Sequence, residues 1–464
     1  MAAKLNSIGI GGSAPEWGLL GLIGISPLIR SFNSQLLSPE TILHFKTAAA
    51  FCLGAVWTVR QILLKRESRF PRWLLAFFAV WMGWTILVTS YATQPSDSLC
   101  YLLLVGSGVV MFCITWHMEE KWHRRLVLGM LVMGGGVACL GVLQYAITNF
   151  NLFLSLARYV LPPRLQMHHQ IYSMMEASTF VERSAATMTH PNMLGIYLAM
   201  LIPFACALIT VKSLPTKVRY FAIGIFGLLL AGLYTTNSRG AMIFAFVALM
   251  ILAVHKEHRW LMVFGGSVVA LALIYWGLSA NHPGILQWFS TQTRVETGLS
   301  GRGEVWKNAL NMASSSPWLG VGPGNFHYEY VSRYGFFIPD LLKGEQFEQI
   351  WFLQTAGEEF ILRFHAHNLY LHLLGELGVG GLLLFAIGEV LIYLQYKKAV
   401  AHHREYSLRR ALAVALFSIA GATIVYGCFE SQAPLIRSGL NLLIAPLLAV
   451  GLSACRTERL AFRP

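Results

Sequence analysis

Charge is what this sequence has least of. Only 12% of its 464 residues are Asp, Glu, Lys or Arg, whereas 55% are hydrophobic, and the mean hydropathy is +0.55. That excludes an ordinary soluble domain and equally a disordered chain. Acidic residues are scarcer than basic ones, 22 against 35. The seven cysteines lie in or beside apolar segments, with neither metal-ligand spacing nor a disulfide framework, so they assign no redox compartment. There is no internal repeat, low-complexity tract or charged tail. The first residues lack a basic n-region and a small-residue cleavage pattern, so no removable signal peptide is expected.

What the chain does have is apolar stretches long enough to cross a bilayer, recurring along nearly its whole length. About twelve can be counted: roughly 17–30, 42–64, 73–91, 98–117, 126–149, 192–211, 218–236, 240–254, 260–277, 369–396, 410–427 and 437–454. The fold class expected is an all-α integral membrane protein of about twelve transmembrane helices. It divides into an N-terminal membrane part (1–277), a large loop (278–367) and C-terminal membrane helices (368–464).

The formal charge of +13 could point to nucleic acid, but its distribution argues otherwise. Basic residues gather in alternate short loops, such as Lys65, Arg66, Arg69 and Arg72, or Lys212, Lys217 and Arg219. With Lys4, six such loops hold 21 of the 35. This is the positive-inside pattern of membrane proteins. It places both termini in the cytoplasm, and puts residues 150–190, the Arg239 turn, 278–367 and 428–437 on the opposite, outer face.

Two outer segments stand out by length, 150–190 and 278–367, and long loops are usually functional. The second is expected to be partly helical, with an amphipathic stretch from Arg302 to Met312 followed by a tight turn at 318–326. Four outer arginines invite weighing. Arg239 follows Thr235-Thr236-Asn237-Ser238. It is either a snorkelling anchor or a fixed cation for an anionic ligand, and the polar cluster favours the second. Arg302 opens a helix against the helix dipole, which implies an anionic partner, either Glu304 or a ligand. Arg183 has Glu182 beside it, and Arg437 reads as a simple anchor. Arginine suits a diphosphate because its planar fork donates paired hydrogen bonds and stays charged.

The stretch His365–Gly381 sets three histidines, an Asn and a Glu at the doorway of an apolar helix. Titratable groups at such a boundary are costly and usually functional. His367 is the candidate base, with the alternative that it merely hydrogen-bonds the loop. Asn368 is a good N-cap. A helix start disfavours an imidazolium, so a ring there stays able to accept a proton. His365, His367 and His372 lack the i,i+4 spacing and nearby carboxylate of a metal site, so none is expected. Glu376 either orients a polar group or pairs structurally. The aromatics near Phe326–Tyr330 either stack on sugars or float the loop at the membrane surface.

These residues resemble a known family. His367-Asn368, then Gly378 and Gly381, is similar to the signature of the bacterial O-antigen ligase family. Three further pieces fit in the same order: Arg183 through Thr189-His190-Pro191-Asn192-Met193-Leu194; Asn237-Ser238-Arg239-Gly240; and Gly301-Arg302 with Trp306, followed by Pro317-Trp318-Leu319-Gly320-Val321-Gly322. The superfamily includes ligases, polymerases and protein O-oligosaccharyltransferases. Its members are inner-membrane proteins of about twelve helices with a large periplasmic loop. They move a glycan from undecaprenyl diphosphate to an acceptor hydroxyl without metal, nucleotide or other cofactor. The resemblance therefore implies a catalytic role for His367 and diphosphate binding by Arg239, Arg302 and, less directly, Arg183. Asn368, His365, Asn192 and Trp306 are the expected supporting residues.

The activity implied is transfer to lipid A-core on the periplasmic face, with polymerisation onto a second lipid-linked glycan as the alternative. The partners are the lipid-linked donor, the acceptor and membrane lipids, with no nucleic acid. Two other classes fit parts of the pattern. An anion transporter would use membrane-edge arginines, but it has no need of a 90-residue outer loop. An assembly partner would have no need of His and Arg gathered where helices meet water.

Overall fold

The computed structural model describes residues 14–29, 39–63, 70–148, 184, 186, 191–265, 267, 302–334, 365–402, 407–431 and 441–455. Among them the chain is helical, with no strand. The helices are α1 (Ala14–Ile29), α2 (Pro39–Leu63), α3 (Arg72–Ser90), α4 (Pro95–Trp116), α5 (Glu120–Thr148), α6 (Pro191–Thr210), α7 (Thr216–Thr235), α8 (Arg239–Ala253), α9 (Arg302–Ser315), α10 (Phe326–Tyr334), α11 (Leu369–His402), α12 (Leu408–Gly427) and α13 (Asn441–Ala454).

Seven of these, α3 to α7, α11 and α12, are long and apolar enough to cross a membrane, and α8 and the Ile444–Ala454 part of α13 are shorter apolar helices. Eleven of the twelve stretches read from the sequence coincide with helices. Of the twelfth, 260–277, most lies outside the described residues. The outer segment 150–190 and much of 278–367 also lie outside them, while α9 and α10 bear out a partly helical loop.

The core is built around α6, which is apolar and buried nearly all round, from Met193 to Leu208. Helices α5, α7, α8 and α12 pack against it. Close approach needs small residues. At Gly195 a Cβ would press on Ala241, Ser238 and Thr236, so the start of α6 meets the turn before α8 almost backbone to backbone. A smaller apolar cluster of Val305, Ala309, Met312, Val321, Phe326, Tyr330 and Ala366 binds α9 and α10 to the chain leading into α11.

The helix ends sort into two groups. At one end lie the turns 91–94, 236–238 and 428–431 and the start of α11. They are tied by Thr93 N–H to Val321 O (3.3 Å) and Ser184 N–H to Thr235 O (2.8 Å). At the other end Arg409 donates to Glu120 (2.7 Å), Arg410 approaches Glu257 (4.0 Å) and Tyr396 meets His255 (3.1 Å). The basic loops Lys121–Arg125, Lys212–Arg219 and Lys256–Arg259 belong to this second end.

Candidate active site

The first end gathers the polar residues singled out in the sequence. Helix α11 begins at Leu369 because Asn368 caps it: the Asn368 carbonyl oxygen accepts from Leu371 N–H at 3.0 Å. The amide nitrogen of the same side chain donates to Cys428 O at 3.1 Å. One residue thus satisfies an orphan N–H of the helix start and ties that start to the turn after α12. The preceding His367 takes φ +48°, a left-handed conformation that costs a non-glycine residue roughly 1–3 kcal/mol. Its neighbour Ala366, fully buried, accepts a hydrogen bond from Trp306 Nε1 at 3.0 Å.

The residue that organises the site is Glu430, which no motif flagged. Its carboxylate is buried, and His367 Nδ1 lies 3.0 Å from Oε1. Because a carboxylate only accepts, the proton of that bond sits on Nδ1, and Nε2 is left with its lone pair. His365 Nδ1 also lies 3.4 Å from Oε1, while accepting from Ser431 Oγ (2.8 Å) and from His367 N–H (3.2 Å). Arg302 completes the group. One guanidinium nitrogen donates to Phe429 O at 2.6 Å and the other lies 3.9 Å from Glu430 Oε2. Burial by itself would push the Glu430 carboxyl up. The neighbouring His367 and His365, the hydrogen bond from His367 and the Arg302 guanidinium outweigh it and hold the group well below the usual carboxylate range.

The anionic partner that the sequence demanded for Arg302 is therefore Glu430. The Glu304 side chain lies outside the described residues. Arg302 and Trp306 stand four residues apart on α9 and so share one face, which meets the His365–His367 chain and the 429–430 turn together. A sequence signal for Glu430 did exist. An acid just past the C-terminus of an apolar helix opposes the dipole and needs cations beside it.

Arg239 is exposed at the first residue of α8, after Asn237 in a left-handed conformation (φ +45°). Next to it, Gly240 leaves room for the ring of Tyr426, and Tyr426 O accepts from Glu430 N–H at 3.0 Å. Tyr426 thus joins the Arg239 turn to the His367–Glu430 pair. Asn192 lies in the first turn of α6, the helix that carries Gly195 against the same turn. Arg183 lies outside the described residues. Ser184 is anchored by Thr235 O and, through its hydroxyl, by Gln144 Oε1 (2.9 Å), so Gln144 is a second contributor the sequence did not disclose.

The glycines of the signature have a mechanical reason. Helix α11 is interrupted at Gly378, whose φ of 64° and ψ of −167° are open essentially to glycine alone. The turn 317–322 inserts into the break. Val321 N–H bonds Gly375 O (2.9 Å), Gly322 N–H bonds Glu376 O (3.0 Å) and Val379 N–H bonds Pro317 O (2.8 Å). Trp84 Nε1 takes Leu377 O (3.1 Å). The 318–326 stretch is thus a tight turn, as expected, and its glycines serve packing. Glu376 is buried and accepts from Phe326 N–H at 3.2 Å, capping α10, with His372 Nε2 3.5 Å away.

Spacing along the sequence offered the histidines no carboxylate for a metal. The fold supplies one, since His365, His367 and Glu430 present ligand atoms within 4.8 Å of one another, and His372 is not part of that group.

No curated protein matches the chain. A sequence model of the O-antigen ligase family matches residues 224–386, the stretch that carries Arg239, Arg302, Trp306, His367 and Asn368. This match covers about a third of the multi-pass helical chain, and over that stretch, whose residues are set at one end of the bundle, the chain is similar to the O-antigen ligase family.

Proposed function

We propose that the chain is an O-antigen ligase-type glycosyltransferase. In this reading it moves a glycan from undecaprenyl diphosphate to a hydroxyl of the lipid A-core oligosaccharide. The observation that carries it is His367 Nδ1 at 3.0 Å from buried Glu430, with Arg302 on the same carboxylate. That pair leaves Nε2 as acceptor for the hydroxyl proton and stabilises the imidazolium as it forms.

The acceptor oxygen attacks the anomeric carbon as its proton passes to His367 Nε2. The bond from that carbon to the diphosphate oxygen breaks, and the configuration inverts in the single displacement. The departing diphosphate gathers charge, which Arg239, Arg302 and Arg183 stabilise most strongly in the transition state. The start of α8 adds its backbone N–H groups to that anion. These groups do the work of a cofactor, so none is required. His365, Asn368, Asn192 and Trp306 act in support.

In this reading the reaction lies on the periplasmic face of the inner membrane with both termini in the cytoplasm, and the scarcity of basic loops at the site end against their abundance at the opposite end supports it. On this reading the large loop serves to exclude water, which would hydrolyse the donor.

The test is transfer by purified protein from a lipid-linked donor, offered lipid A-core and a second lipid-linked glycan in parallel. His367→Ala should abolish transfer while retaining donor binding. Near-normal transfer by that variant refutes the base, and transfer only to the second glycan makes the chain a polymerase.

A further inference from the structure

We propose that His365, His367 and Glu430 form a site for one divalent transition-metal ion of the Zn²⁺ class, and that occupying it switches off the base. The site does not depend on the transferase reading; only the inhibition does.

The spacing carries the inference. In a tetrahedral site with metal bonds of about 2.0–2.1 Å, ligand atoms stand roughly 3.3 Å apart. Glu430 Oε1 lies 3.0 Å from His367 Nδ1 and 3.4 Å from His365 Nδ1, and all three atoms are within 4.8 Å of one another. The rings of His365 and His367 are 4.0 Å apart, close enough to close on a common point. Arg302 approaches the other carboxylate oxygen, Oε2, so Oε1 faces both imidazoles. His367 is the most open of the three, with a third of its side chain exposed, which leaves a fourth position for water. Two imidazoles and one carboxylate select Zn²⁺, Co²⁺ or Ni²⁺ over Mg²⁺ and Ca²⁺, which prefer all-oxygen shells.

Two features oppose the ion and keep its affinity moderate. The Arg302 charge repels a dication, and the Ser431 hydroxyl and His367 N–H already occupy the His365 Nδ1 lone pair. The consequence for chemistry follows from tautomerism. A neutral imidazole bound through Nδ1 carries its proton on Nε2. Metal binding therefore moves the His367 proton from Nδ1 to Nε2 through solvent. The atom that would accept the acceptor's proton becomes a donor, with no change in oxidation state.

The experiment is titration of the full chain, purified in detergent with any affinity tag removed, with Co²⁺ followed by its visible absorption. One equivalent should bind, Zn²⁺ should displace it, and a hundredfold excess of Mg²⁺ should not. His365→Ala and Glu430→Gln should each weaken binding more than about tenfold. Ser431→Ala removes a competing donor and should bind at least as tightly as wild type. Absence of a stoichiometric Co²⁺ spectrum in the wild-type protein overturns the proposal without any variant, as does unchanged affinity in both His365→Ala and Glu430→Gln. Where transfer is measurable, Zn²⁺ should inhibit it in step with occupancy and a chelator should restore it. Full transfer at full occupancy overturns the inhibition. A failure of the transferase reading leaves the Co²⁺ spectrum untouched, so the two outcomes are separable.

Discussion

Glu430→Gln tests the site most sharply, because it keeps the shape of the side chain and removes its charge. Three cationic or ring partners converge on this carboxylate: His367 at 3.0 Å, His365 at 3.4 Å and Arg302 at 3.9 Å. A hydrogen bond to a charged group contributes about 1.5–3 kcal/mol, against roughly 1 for a neutral pair. Losing the charge should therefore raise the barrier by about 1–3 kcal/mol, a loss of roughly 5- to 150-fold in kcat. If the Gln amide turns its NH₂ toward Nδ1, the proton moves to Nε2 and the loss grows toward that of His367→Ala. Donor KM should change less, since Arg302 keeps Phe429 O. The assay is single-turnover transfer from the lipid-linked donor, with thermal unfolding measured alongside. If Glu430 acts only through His367, the double variant should be no slower than His367→Ala alone. A Glu430→Gln protein that folds normally and transfers within about threefold of wild type would refute the dyad, and so would a double variant whose losses multiply.

Four further outcomes are expected. Gly378→Ala places a methyl group on the Trp318 carbonyl at a backbone conformation open only to glycine, so it should cost about 3–5 kcal/mol or prevent folding, read by unfolding in detergent. Trp306→Phe leaves the buried Ala366 carbonyl without its partner and should cost about 1–3 kcal/mol while lowering kcat, since that bond braces His367. Arg302→Lys loses the two-pronged hold and should raise donor KM by roughly tenfold, checked by donor-concentration curves. The fourth concerns pH. Burial, and then the charge of His255, lower the His258 pKa from 6.5 to about 4. A depressed folded value means the stabilisation is present above 6.5 and is lost as pH falls toward 4, at up to about 1.4 kcal/mol per unit. His258→Gln should flatten that limb of the stability curve. The Glu430 contribution, also from a depressed pKa, should persist to lower pH and fade only below the ordinary carboxylate value of 4.5.

What the sequence determined by itself was local or statistical. The apolar stretches became helices because a run of that length has to satisfy its backbone internally. Asn368 was readable as a cap because capping is a contact between near neighbours, and the 318–326 turn was readable from its glycines. The need of Arg302 for an anion followed from its place at a helix start. None of these inferences required knowing which helix lies beside which.

Only the tertiary structure decided the identity of that anion. Glu430 is 63 residues beyond His367 and joins it because α11 and α12 run antiparallel, bringing the start of one to the end of the other. No periodicity encodes such a meeting. The left-handed backbone at His367 and the turn lodged in the α11 break are likewise invisible along the chain. In each, a local cost is offset by partners from distant segments: Trp306 on Ala366, Asn368 on Cys428, and Pro317 with Val321 and Gly322 across Gly378. Propensity measures what a segment does alone, and these features exist only because other helices hold them.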